Sequence, residues 1–484
     1  MTHDVVILGS GFSGSLLGWI LAARGSRVAV IDRLVHPRFA IGESSTPAAD
    51  FLLARLAARY GLAELAPLAR WGSWQEAYPH VGCGKKRGFS YFLHRAGETF
   101  QDTPDHAASL LVAASATDAG SDTHWLRADV DAFLFACGTR AGMEGIEGFA
   151  ADGIDRDGGV WRVRGRRGGG PVETLTAPFL VDATGGGGAL ASALGLRPEG
   201  DTLTTRTGAL FTHVRGLGSW DRLQEEAGNR STTWPFRSDD AAQHHVFEDG
   251  WVWMLRFRDD LASVGFVRPT HVWPAGVDRD AAWRGLAARY PSVAALLATA
   301  RPTRDVALLP RMSRLWSRAS GPGWAMLPTT AGFVDPLHSS GIAHALSGVE
   351  RIAGLLLADT HDAEAWAAYG DAVRDEVRWI DELVGACYAV LPDFDRFRLA
   401  STLFFLATIR FEQGFARGES VASQGFLAAR DGGLRAALSA ARDDVVSGAP
   451  RRLTGLRGRL APFDPAGLLD PAARHRFAHT AVDK

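Results

Sequence analysis

The sequence predicts an α/β protein in which a Gly-rich βαβ unit begins a domain that carries an inserted mixed β-sheet domain and precedes a mostly helical C-terminal region. Three observations support this fold class. Residues 4–32 have the pattern of strand, Gly-rich turn, helix and strand. Residues 205–310 alternate strand-like runs with Gly and Asp turns, and from Gly341 onward apolar residues recur mostly at helical spacing.

The N-terminal unit carries the dinucleotide-binding fingerprint of a Rossmann-like domain. The pattern Gly9-x-Gly11-x-x-Gly14 lies between the first strand and the helix, and Asp32 ends the second strand. We predict that Gly9 makes the tight turn, that Gly11 lets a pyrophosphate approach the backbone, and that Gly14 allows close helix–strand packing. Asp32 is expected to hold ribose hydroxyls, while the helix N-terminus supplies amide donors for the phosphates. The predicted set also includes Ser13 and Arg33.

The middle of the chain predicts further strands. Residues 154–184 are expected to form a strand meander that ends in an apolar run and the Gly-rich turn DATGGGG. Gly186 and Gly188 could form a second dinucleotide loop, but no strand with a terminal acid follows at the required distance. We therefore expect no separate nicotinamide site. Residues 251–257 and 261–267 predict a β-hairpin with its turn at 258–260.

Composition and charge exclude several classes of protein. The chain has 484 residues, 46% of them hydrophobic and 22% charged, which is ordinary for a folded protein and excludes a disordered or collagen-like one. The 52 basic and 54 acidic residues nearly cancel, so we expect no nucleic-acid partner. Its three cysteines are odd in number and widely spaced. They fit neither a disulfide framework nor a zinc site, and no metal is predicted.

Localisation is predicted from two further features. The N-terminal residues lack a basic n-region and a cleavage site, and no stretch reaches about 18 consecutive apolar residues. We expect a cytoplasmic protein with no membrane partner.

Four segments resemble those of flavin-dependent halogenases and, more widely, flavoprotein monooxygenases. Residues 39–47 (FAIGESSTP) resemble the halogenase GExxxP segment. Trp125-Leu-Arg127 with Asp131, the DATG stretch at 182–185 and GFVDP at 332–336 follow in the order of that superfamily. The resemblance implies an FAD-binding domain with Asp335 at the ribityl chain. It also implies that the FAD site contains Glu43, Ser44, Arg127, Gly341 and Ile342.

Two segments are similar to the halogenase branch in particular. GWVWML at 250–255 resembles the WxWxIP motif, which implies that Trp251 and Trp253 screen the flavin from the substrate. DPLHSSGI at 335–342 resembles DPLxS[ST]GI, which implies that the amides of Ser340 and Gly341 bind halide. Judged from the residues alone, two tryptophans on one face of a strand are also typical of a pair that fills a sheet core.

Lysine is rare in this chain and occurs only at Lys85, Lys86 and Lys484, so nearly all of the 52 basic residues are arginine. An interior Lys-Lys pair is either two solvated loop cations or a site that needs an amine, because lysine can shift its pKa and react while arginine stays charged. GKKRGFSY at 84–91 resembles the KxGxx[FY] segment with the family's catalytic lysine. That match selects Lys86 over Lys85.

The resemblance implies a two-component halogenase. Reduced FAD from a separate flavin reductase, O2 and chloride or bromide would give hypohalous acid, which travels through a desolvated site to a lysine. The lysine polarises it towards an electron-rich aromatic substrate of the phenol or pyrrole type, either free or tethered to a carrier protein. The main alternative is an FAD-dependent monooxygenase or oxidase of the same fold that no longer uses halide. A flavin-binding protein without turnover is a third possibility.

Three positions depart from the family pattern. Arg256 replaces the proline of WxWxIP, and Pro328-Thr329-Thr330 replaces Gly-Asp-Ala before the last flavin motif. His338 stands where tryptophan halogenases carry a glutamate. It is either an acid/base group or a hydrogen-bonded histidine that lines the pocket.

The domain organisation follows from these segments. We predict a discontinuous FAD-binding domain, a substrate domain with the mixed β-sheet and a helical C-terminal region whose tail after Gly448 wraps around the rest. The FAD-binding domain comprises residues 1–75, 125–190 and 315–355. The substrate domain comprises residues 76–124 and 195–314, and the C-terminal region comprises residues 356–484.

Overall fold

The computed structural model describes residues 2–229, 234–273, 276–358, 362–448 and 455–478, and it confirms a mixed α/β fold. Lys484 lies outside these residues. The strands are β1 (Val5–Leu8), β2 (Val28–Ile31), β3 (Cys83–Lys86), β4 (Gly88–Leu93), β5 (Ser109–Ala113), β6 (Asp122–Trp125), β7 (Glu144–Ile146), β8 (Phe149–Asp157), β9 (Val160–Arg167), β10 (Val172–Ala177), β11 (Phe179–Asp182), β12 (Thr207–Arg215), β13 (Ala242–Phe247), β14 (Gly250–Arg256), β15 (Leu261–Pro269), β16 (Arg301–Pro302), β17 (Ala307–Leu309), β18 (Arg314–Leu315), β19 (Ser320–Gly321), β20 (Trp324–Met326), β21 (Gly332–Phe333) and β22 (Arg476–Phe477).

The helices follow the predicted distribution, with the longest of those described in the C-terminal region. None of the described helices is long and apolar enough to cross a membrane. The helices are α1 (Phe12–Ala23), α2 (Pro47–Tyr60), α3 (Trp71–Ala77), α4 (Arg127–Arg140), α5 (Ala189–Ala193), α6 (Trp220–Glu226), α7 (Arg279–Arg289), α8 (Pro291–Leu297), α9 (Pro328–Ala331), α10 (Gly341–Leu357), α11 (Ala363–Ala389), α12 (Phe394–Ala416), α13 (Val421–Gln424), α14 (Gly432–Ser447) and α15 (Leu456–Leu460).

The N-terminal βαβ unit forms the centre of a six-stranded sheet with the order β19-β20-β11-β1-β2-β7. β1 is parallel to β2 and to β11, and only β19 runs antiparallel to its neighbour. Every residue of β1 and β2 is buried. Continuous apolar runs of this kind are typical of parallel strands covered on both faces. The Gly-rich turn after β1 therefore lies at the carboxyl edge of this sheet, where α/β folds bind their ligands.

The larger sheet contains most of the predicted substrate-domain strands. Its order is β16-β12-β15-β14-β13-β4-β5-β22, with β17 also on β12. The predicted hairpin is confirmed as β14 and β15, which pair from Trp251–Val267 to Arg256–Ala262. Asp259 and Asp260 in its turn adopt positive φ. From this sheet, Trp251 on β14 reaches Tyr388 at the end of α11.

The described residues also form three smaller sheets, one of which is the antiparallel pair of β18 and β21. The predicted meander is present as β8, β9 and β10, while β11 leaves it and joins the six-stranded sheet. The segments β3 and β6 form a separate antiparallel pair in which Lys86 lies opposite Asp122. The Lys-Lys segment is therefore strand, not loop.

The C-terminal region is helical as predicted, with one difference. Helices α11, α12 and α14 begin at aspartates whose side chains accept backbone N–H bonds. After α15 the chain returns to the larger sheet, where β22 pairs in parallel with β5. Two residues are too few to give a strand pattern, so periodicity did not predict β22. The segment 449–454 after Gly448 lies outside the described residues.

Candidate active site

The Gly-rich turn has the geometry of a phosphate cradle. Gly9 adopts φ +99°, and a Cβ there would lie 2.7 Å from the Ala183 carbonyl oxygen. A Cβ on Gly14 would lie 2.1 Å from the Gly9 oxygen, so the start of α1 packs directly on the turn. At Gly11 the nearest atom is a guanidinium nitrogen of Arg127 at 3.6 Å. The backbone at Gly11 is therefore open on a side that faces a cation, which suits a pyrophosphate. Ser13 is buried in the first turn of α1.

Arg127 is fixed at the cradle by a bidentate ion pair. Its Nε and Nη2 donate to the two carboxylate oxygens of Asp131 at 2.8 and 2.9 Å, and its Nη1 donates to the carbonyl oxygens of Ile41 and Gly42. A guanidinium held in this way does not need to be ordered when an anion binds. These hydrogen bonds of Arg127 therefore join the GExxxP segment to α4.

Asp32 lies at the end of β2 beside a second cation. The Ser10 N–H and the Leu34 N–H donate to its carboxylate at 3.0 and 2.9 Å, and Arg38 contacts it at 3.1 Å. Burial favours the neutral acid, but these backbone bonds and Arg38 lower the pKa of Asp32, so the side chain is ionised. Sequence reasoning missed Arg38, which also lies 3.7 Å from the Gly11 position. The predicted Arg33 is exposed instead.

The GExxxP segment contacts β12 of the larger sheet and β6 of the two-stranded sheet of β3 and β6. Glu43 is buried and its Oε1 is 2.7 Å from Nε2 of His213 on β12. Ser44 pairs with His124 on β6, and its buried Oγ has no hydrogen-bond partner among the residues that the structure describes. A buried hydroxyl in this position can bind a polar cofactor atom. Ser44, the open cradle at Gly11 and the ionised Asp32 together fit FAD.

Asp335 is buried in the turn that precedes α10. The Tyr388 hydroxyl donates to its Oδ2 at 2.9 Å, Thr207 donates to the same oxygen, and the Leu337 N–H donates to Oδ1 at 2.9 Å. Burial raises the pKa of Asp335 to about 6. Asp335 lines a small cavity together with Thr329, Phe333, Ser340, Gly341 and His344.

The turn from Asp335 to Gly341 separates this cavity from a larger one. Ser339 adopts φ +57°, an uncommon conformation for a residue other than glycine, and α10 starts at Gly341. Ser340 lines both cavities. Ile342 is buried in the first turn of α10. The predicted halide residues Ser340 and Gly341 therefore lie where the two spaces approach each other.

The larger cavity is an aromatic pocket. It is enclosed by the start of α2, by β4 and β5, by α12 and by the turn before α10. Most of its wall is apolar. Its lining residues are Thr46, Pro47, Ala48, Phe89, Val112, Ala113, Ala114, His338, Ser340, Phe404, Phe405, Thr408, Ile409, Glu412, Phe426 and Leu427.

Lys86 and Lys85 have different environments. The Lys86 side chain is fully buried; its Nζ donates to the Ser45 carbonyl oxygen and lies 3.9 Å from the ring centroid of Phe89, which lines the pocket. The Lys85 Nζ forms ion pairs with Asp118 at 2.6 Å and Asp240 at 3.1 Å, and these partners are partly exposed. The structure therefore places the Lys86 ammonium against Phe89, a residue of the pocket wall, whereas Lys85 pairs with two carboxylates.

His338 is a neutral imidazole in the pocket wall. Its Nδ1 is 2.9 Å from the Tyr91 hydroxyl, its Nε2 is 3.5 Å from the Cys387 sulfur, and the Phe404 ring lies at 4.5 Å. Burial holds the pKa of His338 well below its usual value. These contacts favour the second of its two predicted roles, a hydrogen-bonded lining residue.

Trp251 and Trp253 lie on one face of β14 with ring centroids 6.1 Å apart. The Trp253 indole N–H donates to the Ser263 hydroxyl at 3.0 Å, whereas the Trp251 N–H donates to the Tyr388 hydroxyl at 2.7 Å. Trp251 is thus linked through Tyr388 to Asp335. No motif in the sequence indicated Tyr388, which is supplied by the far end of α11.

Arg256 and Thr330, two of the departures from the family pattern, have structural roles here. Arg256 ends β14 and donates to the carbonyl oxygens of Leu217 and Gly218 and to Asp239. Thr330 accepts a hydrogen bond from the Gly185 N–H at 3.0 Å, which ties α9 to the DATG turn. Among the residues that the structure describes, no group of three or more His, Cys, Asp or Glu side chains could hold a metal ion.

Known proteins share both sequence and fold with this chain. The family model described as tryptophan halogenase matches residues 121–396. Tetracycline 7-halogenase of Kitasatospora aureofaciens is 31% identical over 417 residues, covering 83% of this chain and 72% of that protein. Monodechloroaminopyrrolnitrin halogenase PrnC of Pseudomonas fluorescens is 29% identical over 442 residues, covering 88% of this chain and 75% of that protein.

Solved structures agree with the fold. The crystal structure of halogenase PltM in complex with phloroglucinol and FAD superimposes with a TM-score of 0.85 at 23% identity, covering 99% of this chain and 100% of that one. The family model covers more than half of the chain, and a relative above 30% identity spans most of it. The chain therefore belongs to the tryptophan halogenase family, and it is a flavin-dependent halogenase whose cofactor is FAD.

Proposed function

We propose that this halogenase acts on an electron-rich aromatic substrate of the phenol or pyrrole type and that Lys86 delivers the halogen. The observation that carries the proposal is the position of the Lys86 ammonium, which is buried and lies 3.9 Å from the ring centroid of the pocket residue Phe89. A buried cation beside an aromatic pocket can polarise a small neutral oxidant towards a ring bound in that pocket.

The pocket suits both reactants. Phe89, Phe404, Phe405 and Phe426 give it an aromatic wall that packs against a planar ring. Few polar groups face its interior, so water is largely excluded and hypohalous acid is protected from hydrolysis and side reactions. The neutral His338 contributes no positive charge that would compete with Lys86.

A lysine suits the delivery step better than an arginine. The ammonium is a compact donor that can hydrogen-bond hypohalous acid or form a haloamine, whereas a guanidinium delocalises its charge and hardly reacts. The two ion pairs of Lys85 hold it to Asp118 and Asp240. The family motif at 86–91 and the contact of its ammonium with the pocket residue Phe89 make Lys86 the proposed catalytic residue of the pair.

FAD and halide would bind on the side of the site that contains the smaller cavity. When bound, reduced FAD would supply the electrons that activate O2 for the oxidation of halide. Gly11, Arg127 and Asp32 would hold the dinucleotide, and Asp335 would orient the ribityl chain. The amides of Ser340 and Gly341 would bind chloride or bromide at the boundary with the aromatic pocket. Trp251 and Trp253 would screen the flavin from the organic substrate.

The reductant would come from a separate flavin reductase, since no second dinucleotide fingerprint was found in the sequence. The related proteins support the aromatic substrate class. Their names specify tetracycline and monodechloroaminopyrrolnitrin, and PltM was crystallised with phloroglucinol, a phenol.

Product mass with and without halide tests the proposal. The enzyme is supplied with reduced FAD, O2, chloride or bromide, and a panel of free and carrier-bound phenols and pyrroles. We expect a halide-dependent mass increase from the wild type and from Lys85→Ala, but not from Lys86→Ala, which should still bind FAD and reoxidise it. Equal halogenation by Lys86→Ala, or an oxygenated product formed equally without halide, would contradict the proposal.

A further inference from the structure

One carboxylate lies in the wall of the aromatic pocket. Among its lining residues in the described part of the chain, Glu412 is the only one with an acidic or basic side chain apart from the neutral His338. Its side chain is buried, with 1% of the residue surface exposed. In a pocket whose wall is mostly apolar, Glu412 is therefore the lining side chain that can carry a negative charge.

The position of Glu412 along α12 is set by helix geometry. Phe405, Thr408 and Glu412 are spaced so that they share one face of the helix, and all three line the pocket. Seven residues along a helix correspond to about 10 Å, so Glu412 lies about two turns beyond Phe405.

At the other end of this helix face, Phe405 contacts Phe89, the residue whose ring faces the Lys86 ammonium. The Phe405 and Phe89 rings pack with their centroids 5.3 Å apart, and the Lys86 ammonium lies over Phe89. The proposed catalytic cation thus lies against Phe89, a residue of the pocket wall, and a carboxylate lies about two helical turns along α12 from the ring that packs on Phe89. A ring bound between them can be held by one group while it reacts near the other.

We propose that Glu412 binds the hydrogen-bond donor of the aromatic substrate, a phenol O–H or a pyrrole N–H, and thereby selects for rings that carry one. This role rests on the proposed function. A carboxylate oxygen accepts such a donor in a charge-assisted hydrogen bond, which is stronger than a neutral one. The bond also increases electron density in the ring, so it favours attack on an electrophilic halogen.

The apolar wall alone cannot provide this selection. Aromatic and aliphatic side chains accommodate any ring of suitable size, whereas a site that hydrogen-bonds a substrate donor discriminates strongly against an analogue without it. Glu412 is therefore proposed as a specificity residue that contacts the substrate, and not as a halogen carrier.

Binding of phenol and toluene, which have similar shapes but differ in the O–H group, tests this role. Dissociation constants are measured by NMR titration of the FAD-loaded, oxidised protein without halide, for the wild type, Glu412→Gln, Glu412→Leu and the control Glu419→Gln, an acid beyond the end of α12. We expect the wild type and the control to bind phenol about 10- to 100-fold more tightly than toluene, and Glu412→Leu to lose at least tenfold of that ratio. Glu412→Gln, which retains the shape but not the charge, should have an intermediate ratio.

Two outcomes would overturn the role of Glu412. One is equal binding of phenol and toluene to the wild type, a measurement that does not depend on any variant folding. The other is an unchanged ratio in Glu412→Gln or Glu412→Leu with FAD binding intact. The binding measurement involves no halogen transfer, so its result does not depend on whether Lys86 carries the halogen. Failure of Lys86 as the halogen carrier is therefore detected separately, as continued halogenation by Lys86→Ala.

Discussion

The Trp251 indole N–H donates a hydrogen bond of 2.7 Å to the Tyr388 hydroxyl, which in turn donates to Asp335 at 2.9 Å. These two hydrogen bonds connect the larger sheet, the end of α11 and the turn before α10. Burial raises the pKa of Tyr388 well above its usual value, so its hydroxyl keeps the proton that it donates. The helical C-terminal region therefore contributes directly to the arrangement of the proposed flavin-side residues.

Removing the Tyr388 hydroxyl should destabilise the fold. In Tyr388→Phe the buried Trp251 N–H loses its acceptor and Asp335 loses one donor. We expect the free energy of unfolding to fall by about 1–3 kcal/mol, measured by urea denaturation. Tyr78→Phe is the control, because that ring is only partly buried, and it should change stability by less than about 0.5 kcal/mol. Equal stability of Tyr388→Phe and the wild type would show that the two hydrogen bonds of the Tyr388 hydroxyl contribute nothing to stability.

Asp335 should give the cofactor-free protein a measurable pH dependence. Burial raises its pKa from 3.8 to about 6, so between these values the folded protein keeps a proton that the unfolded chain releases. The contribution of this group to stability is complete below pH 3.8 and is lost as the pH rises to about 6.

The neutral variant Asp335→Asn isolates that contribution. Over the same pH range the wild type should lose about 3 kcal/mol more unfolding free energy than Asp335→Asn. Urea denaturation at several pH values measures both. Parallel pH profiles for the two proteins would mean that the carboxyl titrates normally.

Charge alone should not replace the Lys86 amine. We expect Lys86→Arg to lose halogenation by roughly 10²–10⁴-fold although it retains the cation, because a guanidinium neither fits the buried position nor reacts as an amine. The readout is the rate of halide-dependent product formation, with flavin reoxidation measured in parallel. Wild-type rates in Lys86→Arg would reduce Lys86 to an electrostatic role.

Two glycines of the nucleotide turn should respond differently to substitution. A Cβ at Gly11 would make only ordinary contacts in the cofactor-free protein, so we expect Gly11→Leu to fold but to lose FAD binding, since its side chain would fill the pyrophosphate position. Gly14 has none, because its Cβ would meet the Gly9 oxygen at 2.1 Å. Gly14→Ala should therefore lower the melting temperature. Differential scanning calorimetry and FAD titration separate these effects, and native FAD affinity in Gly11→Leu would contradict the proposed orientation of the dinucleotide.

The purified protein should oxidise NADH and NADPH only slowly. We expect the absorbance at the nicotinamide band to fall rapidly only after a flavin reductase and FAD are added. The reductase without the halogenase provides the background rate. Rapid consumption by the halogenase alone would identify a self-sufficient enzyme.

The sequence predicted best those features whose residues are close together in the chain. The βαβ unit and the β14–β15 hairpin were recognisable because their strands and turns are consecutive. The position of Lys86 in a motif also separated it from Lys85, although the motif carried no information about burial.

Features that depend on distant residues were not predicted. Tyr388 meets Trp251 across 137 residues and Asp335 across 53, and no local pattern encodes either contact. Arg38 lies in an irregular loop, and only the folded conformation of that loop brings it close to Gly11. The sequence therefore did not indicate Arg38, and the prediction named Arg33. Glu412 follows apolar residues on α12, where an acid is equally typical of a solvated helix edge.

The pairing of β22 with β5 has a consequence for biosynthesis. Arg476 binds Asp102, 374 residues earlier, and Phe477 pairs with Val112 in the wall of the aromatic pocket. While the ribosome is still making the C-terminal helices, the outer edge of β5 has no neighbour and is open to other chains. Closing so long a loop is slow, so this edge is among the last parts of the protein to be covered. The wall of the aromatic pocket is thus completed after translation of almost the whole sequence, and a nascent or truncated chain that ends before residue 476 would expose this edge to aggregation.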